Sequence, residues 1–197
     1  MSTKNLTLIV VVAFLLILGG CGCNSYNGLV QTDQGVKTAW SNVETNYQRR
    51  TDLYGSVIKV IEGSANFEKT TLKEVIAARA SATSVRVDIN DSASLARYQQ
   101  AQGQLQGSFS RLMAVAEAYP DLKTTEQFKN FQTDIGGTEN RINVARRDFN
   151  TSVNSYNLKV KQFPNNIFAG LFGFHEKPYY KSDPGSEHAP DIQFNIK

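Results

Sequence analysis

Residues 125–163 read TEQFKNFQTDIGGTENRINVARRDFNTSVNSYNLKVKQF, and in that run Phe128, Phe131, Ile135, Thr138, Ile142, Ala145, Phe149, Val153, Tyr156, Val160 and Phe163 recur at intervals of three and four. That spacing is the repeat of an α-helix, so these side chains form one stripe on one helix. Thr124 followed by Gln127 reads as a capping box at its start, the hydroxyl accepting a first-turn N–H while the amide reaches back. Pro164 ends it, because proline has no N–H to donate and its ring clashes with the preceding turn. At 1.5 Å per residue the helix is about 58 Å long, and so long a single stripe has to be covered by other helices of the chain. The stretch predicts an all-α protein, a long antiparallel bundle of three to four long helices.

Working outward, Val36, Trp40, Val43, Tyr47, Tyr54, Val57 and Ile61 repeat the same spacing, with Arg50 in the slot between Tyr47 and Tyr54. Gly55 and Gly63 are weak points, since glycine inside a helix costs about 1 kcal/mol relative to alanine. Beyond them Phe67, Leu72, Val75, Ile76, Arg79 and Ala82 carry a helical face to about Ser84, and the pattern from Leu29 to Ser84 fits one kinked helix or two. Val85 to Asp91 reads as a loop, closed by the turn- and cap-forming Asn90-Asp91-Ser92. A further helix from about Ser92 to Tyr119 buries Leu95, Tyr98, Ala101, Leu105, Phe109, Leu112, Val115 and Ala116. Pro120 stops it, and the short Asp121–Lys123 link implies an antiparallel return. Phe128, Ile135, Ile142, Phe149 and Tyr156 are then expected to bury against Trp40, Val43, Tyr47 and Leu105.

Of 197 residues 20% are charged, the formal net charge is +3, and Lys and Arg alternate with Asp and Glu along each helix rather than gathering on one face. That argues against nucleic acid as a partner. Residues Leu6–Leu18 are apolar except for Thr7, follow Lys4 and precede Gly19, Gly20 and Cys21. As a helix they reach about 20 Å, short of the roughly 30 Å hydrocarbon core, so the segment reads as the apolar region of a secretory signal. Leu18-Gly19-Gly20-Cys21 resembles a bacterial lipobox, which makes Cys21 the candidate for lipidation. An uncleaved signal anchor, a transmembrane helix lengthened by the Gly and Cys residues, is the alternative. Either one attaches the protein to the cell membrane or outer membrane with its body facing the periplasm. The expected organisation is 1–20 signal peptide or signal anchor, 21–28 lipidated cysteine and tether, 29–163 helical bundle, and 164–197 tail. Cys23 is the one other cysteine, so no disulfide forms within the helical body.

After Pro164 the prolines 178, 184 and 190 and the glycines 170, 173 and 185 forbid a long helix, yet Ile167, Phe168, Leu171, Phe172, Phe174, Tyr179 and Tyr180 are too apolar for a linker. Packing over an end of the bundle is the first reading, and dipping into the membrane interface the rival. His175 and His188 are the histidines of the chain, without a carboxylate at metal-ligand spacing, and no Gly-rich phosphate loop occurs, so neither metal, cofactor nor small-molecule substrate is expected. An enzyme would have to work at the junction of tail and bundle with His175, Glu176 and Tyr179. Gly103 and Gly107, four apart, read as tight helix packing. Arg50, Arg79, Glu139, Arg141 and Arg146, with Arg147 and Asp148, read as inter-helix polar contacts that fix register, the alternative being a partner or ligand site. Asn143, Asn150 and Asn157 repeat every seven residues beside the stripe and read as hydrogen bonds across a helix interface.

Tyr26-Asn27-Gly28-Leu29-Val30, Ala39-Trp40-Ser41-Asn42-Val43 and Tyr47-Gln48-Arg49-Arg50-Thr51-Asp52-Leu53 resemble the opening of the LemA family. Tyr119-Pro120-Asp121-Leu122-Lys123, Thr138-Glu139-Asn140-Arg141-Ile142 with Ala145-Arg146, and Tyr156-Asn157 leading to Phe163-Pro164 resemble its second half, so that the likeness runs in order from Tyr26 to about Tyr180. Tyr54-Gly55-Ser56-Val57 departs from the Ile-Pro-Asn-Leu more usual there. The resemblance implies a membrane-attached antiparallel helical bundle of bacteria with no established enzymatic activity and no catalytic residues to carry over. Members found beside membrane zinc proteases and a magnetosome-associated branch imply a scaffold or adaptor in envelope assemblies, or a regulatory subunit of a membrane protease.

Overall fold

Apolar stripes at helical spacing become helices along the chain. The computed structural model describes residues 3–63, 68–120 and 125–181, and within them the order is α1 (Thr3–Glu62), α2 (Lys69–Ser84), α3 (Ser92–Ala116), α4 (Glu126–Lys161) and α5 (Asn165–Phe172), with no strand among the described residues. The segment 29–84 is therefore two helices, α1 closing at Gly63, whose N–H reaches the Lys59 carbonyl at 3.3 Å. Asp91 caps α3, its carboxylate accepting from the N–H groups of Ala93 and Ser94, both at 3.0 Å. That helix ends at Ala116 rather than Tyr119, because the chain tightens into a turn in which Ala118 and Tyr119 donate to the Val115 and Ala116 carbonyls. At the start of α4 the Phe128 N–H donates to Thr125 Oγ at 3.3 Å, so Thr125 satisfies a first-turn N–H. Thr124, Phe67 and the link 121–123 lie outside the described residues.

The chain divides into two compact units. One comprises Met1–Arg49 with Gly137–Tyr179. Its core is Leu29, Val36, Ala39, Trp40, Val43 and Tyr47 from α1 and Ile142, Ala145, Phe149, Val153 and Tyr156 from α4, with Trp40 and Phe149 meeting edge to face at 5.2 Å. Each such buried aromatic or branched side chain contributes about 1.5–3 kcal/mol, more than an exposed ion pair supplies. The stripe does not persist to its last member: α4 stops at Lys161, and Phe163 lies beyond it, 81% exposed. Past Pro164 the short α5 closes on Gly173, which takes the left-handed conformation (φ 74°) that favours glycine at a helix C-terminus.

The other unit comprises Arg50–Gly136 with Tyr180–Lys197. Tyr54, Val57, Ile58 and Ile61 from α1, Val75 and Ala82 from α2, five residues of α3 from Ala101 to Ala116, and Phe128 from α4 form one cluster. Phe131 and Ile135 pack half-buried against it, less deeply than expected for Ile135. Tyr54 and Phe109 stack face to face at 3.6 Å. Gly55 does not break α1; a Cβ there would lie 3.0 Å from Arg79 Cζ, and the missing side chain lets Arg79 Nε donate to the Thr51 carbonyl at 3.2 Å. Gly103 and Gly107 are not a tight-packing seam. They sit two residues past the buried Ala101 and Leu105, about 200° around the helix, and an added Cβ at either would meet nothing within 4 Å.

Candidate functional site

The most elaborate polar construction in the first unit ties the tail to α1 and α4. Asn157 points from α4 at the extended segment after α5: the Lys177 N–H donates to Asn157 Oδ1 and Asn157 Nδ2 donates to the Lys177 carbonyl, both at 2.9 Å. The Lys177 side chain is 5% exposed, its Nζ 2.9 Å from one oxygen of Asp33 and 5.1 Å from the centre of the Tyr156 ring. Lys37, one turn further along α1, holds the other Asp33 oxygen at 2.8 Å. Burial by itself would raise the Asp33 pKa, but the hydrogen bonds from Lys37 and Lys177, reinforced by their charges, outweigh it and hold the carboxyl below its ordinary value. The Tyr156 phenol is pushed up to about 12, first by burial and then by the Asp33 charge. At the surface Lys161 pairs with Glu176 at 2.8 Å, and the Tyr179 hydroxyl donates to Asn154 Oδ1 at 3.2 Å.

Beside this latch the tail lays aromatics on α1. Tyr26 takes Phe172 (5.0 Å) and Phe174 (5.8 Å) edge-on, and Phe168 lies over Gly22, where a Cβ would come within 3.1 Å of its ring. The described part of the tail thus packs on α1 and α4. It also leaves Ile167 and Leu171, one turn apart on α5, 60% and 74% exposed beside the more exposed Phe163.

The polar residues singled out by pattern do not gather into one place. Arg50 is fully buried, and its Nη2 donates to the side-chain oxygen of Gln102 at 2.7 Å and to the Gln102 carbonyl at 3.1 Å. Arg79 lies on Gly55, as described, while Arg146 donates to the Tyr47 hydroxyl through Nε at 2.8 Å and through Nη2, over the Tyr47 ring. All three guanidinium groups donate to neutral oxygens. Glu139 is half-buried. Arg141 is exposed in a shallow groove with Asn42, Asn46, Asn140 and Asp148. Of the asparagines, Asn157 bonds to the tail, Asn150 is half-buried and Asn143 is exposed. Pattern reading missed Asp33 and Lys177. The signal was present in Asp33, the first charge after Lys4, and in a lysine set among tail aromatics.

His175 is exposed, Glu176 is engaged by Lys161 and Tyr179 by Asn154. These groups do not converge on a cleft among the described residues. Nor do three His, Cys, Asp or Glu side chains come together there as a metal site. Cys21 and Cys23 are exposed, unpaired thiols, and no described helix is long and apolar enough to cross a membrane.

The sequence model of the LemA family matches residues 39–194, most of the chain. The chain belongs to the LemA family. Among relatives of this LemA-family chain, magnetosome protein MamQ 2 of Paramagnetospirillum magneticum AMB-1 is 25% identical over 199 residues, covering 90% of the chain and 71% of the relative. Magnetosome protein MamQ of Magnetospirillum gryphiswaldense is 24% identical over 181 residues, 82% of the chain and 66% of the relative. Protein LemA of Metamycoplasma hominis is 26% identical over 143 residues, 73% of the chain and 63% of the relative. The latch residues Tyr156, Asn157 and Lys177 fall inside the family match, whereas Asp33 and Tyr26 precede it.

Proposed function

We propose that this LemA-family chain is a non-enzymatic, membrane-anchored helical protein of the bacterial cell envelope, its body facing the periplasm and serving as a scaffold or adaptor for envelope proteins. The observation that carries the reading is the continuity of α1, in which the apolar run Leu6–Leu18 leads without a break into the helix whose core face begins at Leu29. Whatever holds the leader, or Cys21 once the leader is removed, holds the body. Cys21, exposed at the end of that run, is the favoured attachment point, because the run itself is about 10 Å short of the hydrocarbon core. Two or more acyl chains on one cysteine anchor a protein stably, where one is marginal. Kinship with proteins named for the magnetosome agrees with a place in a larger assembly.

Cross-linking in intact cells, followed by membrane extraction and affinity purification of the full chain, tests this. The expected result is a membrane-bound chain with a reproducible set of envelope proteins cross-linked to it; a membrane zinc protease among them would make the chain its regulatory subunit. Recovery from the soluble fraction with no cross-linked species would contradict the reading.

A further inference from the structure

The geometry points to the amino-terminal end of α5 as a second membrane contact: Phe163, just before the helix, and Ile167 in its first turn dip into the lipid interface beside the anchor. This rests on the anchored reading of the amino terminus given above. Three observations carry it. First, Phe163, Ile167 and Leu171 follow one another at four-residue spacing and are 81%, 60% and 74% exposed, while Ala169 between them is buried. A small protein gains nothing by leaving three large apolar side chains of one short segment in water, and an exposed apolar patch of this kind marks a contact surface.

Second, the place is right. Phe168 of α5 packs on Gly22, four residues and so about 6 Å beyond Leu18, the end of the apolar run. Bilayers add about 5–7 Å of headgroup layer on each side of the hydrocarbon, so a leader inserted as far as Leu18 sets the Phe168 end of α5 within that layer, while Phe172, on Tyr26, lies about 12 Å out. If the leader is instead removed and Cys21 acylated, the acyl chains start one residue from Gly22, and the Phe168 end of α5 again lies at the membrane surface. Third, the aromatic content suits the interface: Phe168 lies at this level, where such rings are enriched, with Tyr26, Phe172 and Phe174 just beyond it.

The occupant is lipid, and the test uses the full chain in vesicles of phosphatidylcholine and phosphatidylglycerol with brominated acyl chains. Ile167→Trp places a reporter on the exposed edge; Val144→Trp, exposed on α4 about 25 Å before its end, is the control in the same unit. Trp40, buried, is common to both. Expected is a blue-shifted Ile167→Trp emission quenched about twofold by bromine, with Val144→Trp emission unmoved, as for a side chain held in the interface. A chain that sediments with the vesicles while the two variants behave alike overturns the α5 contact and leaves the anchor standing. A blue shift without bromine quenching also overturns it, since protein then covers the edge. A chain that fails to sediment overturns both readings.

Discussion

Asn157 and Lys177 hold each other by two hydrogen bonds, amide to backbone in both directions at 2.9 Å, twenty residues apart in sequence. The amide of one α4 side chain thereby does for the tail what a neighbouring strand would do, satisfying a buried N–H and C=O together. Asn157→Ala removes both buried bonds, so a cost of about 1–3 kcal/mol is expected. Amide exchange at residues 174–181 should accelerate while that of the buried face of α4 does not. Unchanged protection of the tail would show that the aromatics alone hold it.

The Asp33 cluster gives a pH dependence. Its folded-state pKa is lowered, so its contribution is present above the unfolded value and is lost as pH falls through the folded one. Melting temperatures measured downward from about pH 5 should fall more steeply for the parent than for Asp33→Asn, because the unfolded carboxyl titrates near 3.9. At the alkaline end Tyr156, raised to about 12, acts in the opposite direction: its contribution is present below the ordinary value of 10.0 and fades as pH rises toward the folded value. Tyr156→Phe should flatten that limb. Parallel acid curves for parent and Asp33→Asn would remove Asp33 from the account.

Two glycines in helices separate propensity from space. Gly103→Ala meets open solvent, and a gain of about 0.5–1 kcal/mol is expected from the stiffer unfolded chain and better helix propensity. Gly55→Ala puts a methyl 3.0 Å from the Arg79 guanidinium and forces Arg79 off the Thr51 carbonyl, which offsets the same gain. Thermal melts of the two variants therefore diverge. Equal stabilisation of both would mean that the Arg79 contact contributes nothing.

Arg50 offers a third comparison. Its bonds to Gln102 are charge-assisted and fully buried, and Gln102→Ala should cost about 1.5–3 kcal/mol. A change below a few tenths of a kcal/mol in denaturant unfolding would show that Arg50 has no need of that partner.

These residues also mark what can be read from a sequence of this kind. Val36, Trp40, Val43, Tyr47, Arg50, Tyr54, Val57 and Ile61 are all buried, since a helix repeat shows which face is covered whatever covers it, even when one member is an arginine. The periodicity says nothing about the partner: Gln102 is fifty-two residues from Arg50, and only the packed fold brings them together. Gly55 looks like a kink because propensity is local, whereas its reason is a side chain from α2. Phe163 fits the period yet lies past the last helical residue, so its slot faces solvent. Lys177 was harder to read for the converse reason: its place among tail aromatics hints at burial, but the partner that makes burial possible, Asp33, lies on a distant helix.

The central claim is that the chain is attached to a membrane at its amino terminus, at or before Cys21. Mass spectrometry of the mature amino terminus of the native protein, run beside fractionation of parent and Cys21→Ala, tests it most directly. The account predicts a membrane-bound chain that begins at an acylated Cys21, and a Cys21→Ala variant that either keeps its leader or is released. A membrane-bound parent that begins at Met1 or Ser2, with Cys21→Ala equally bound, would move the anchor from the cysteine to the leader. A soluble parent with an unmodified amino terminus at or beyond Cys21 would contradict the account.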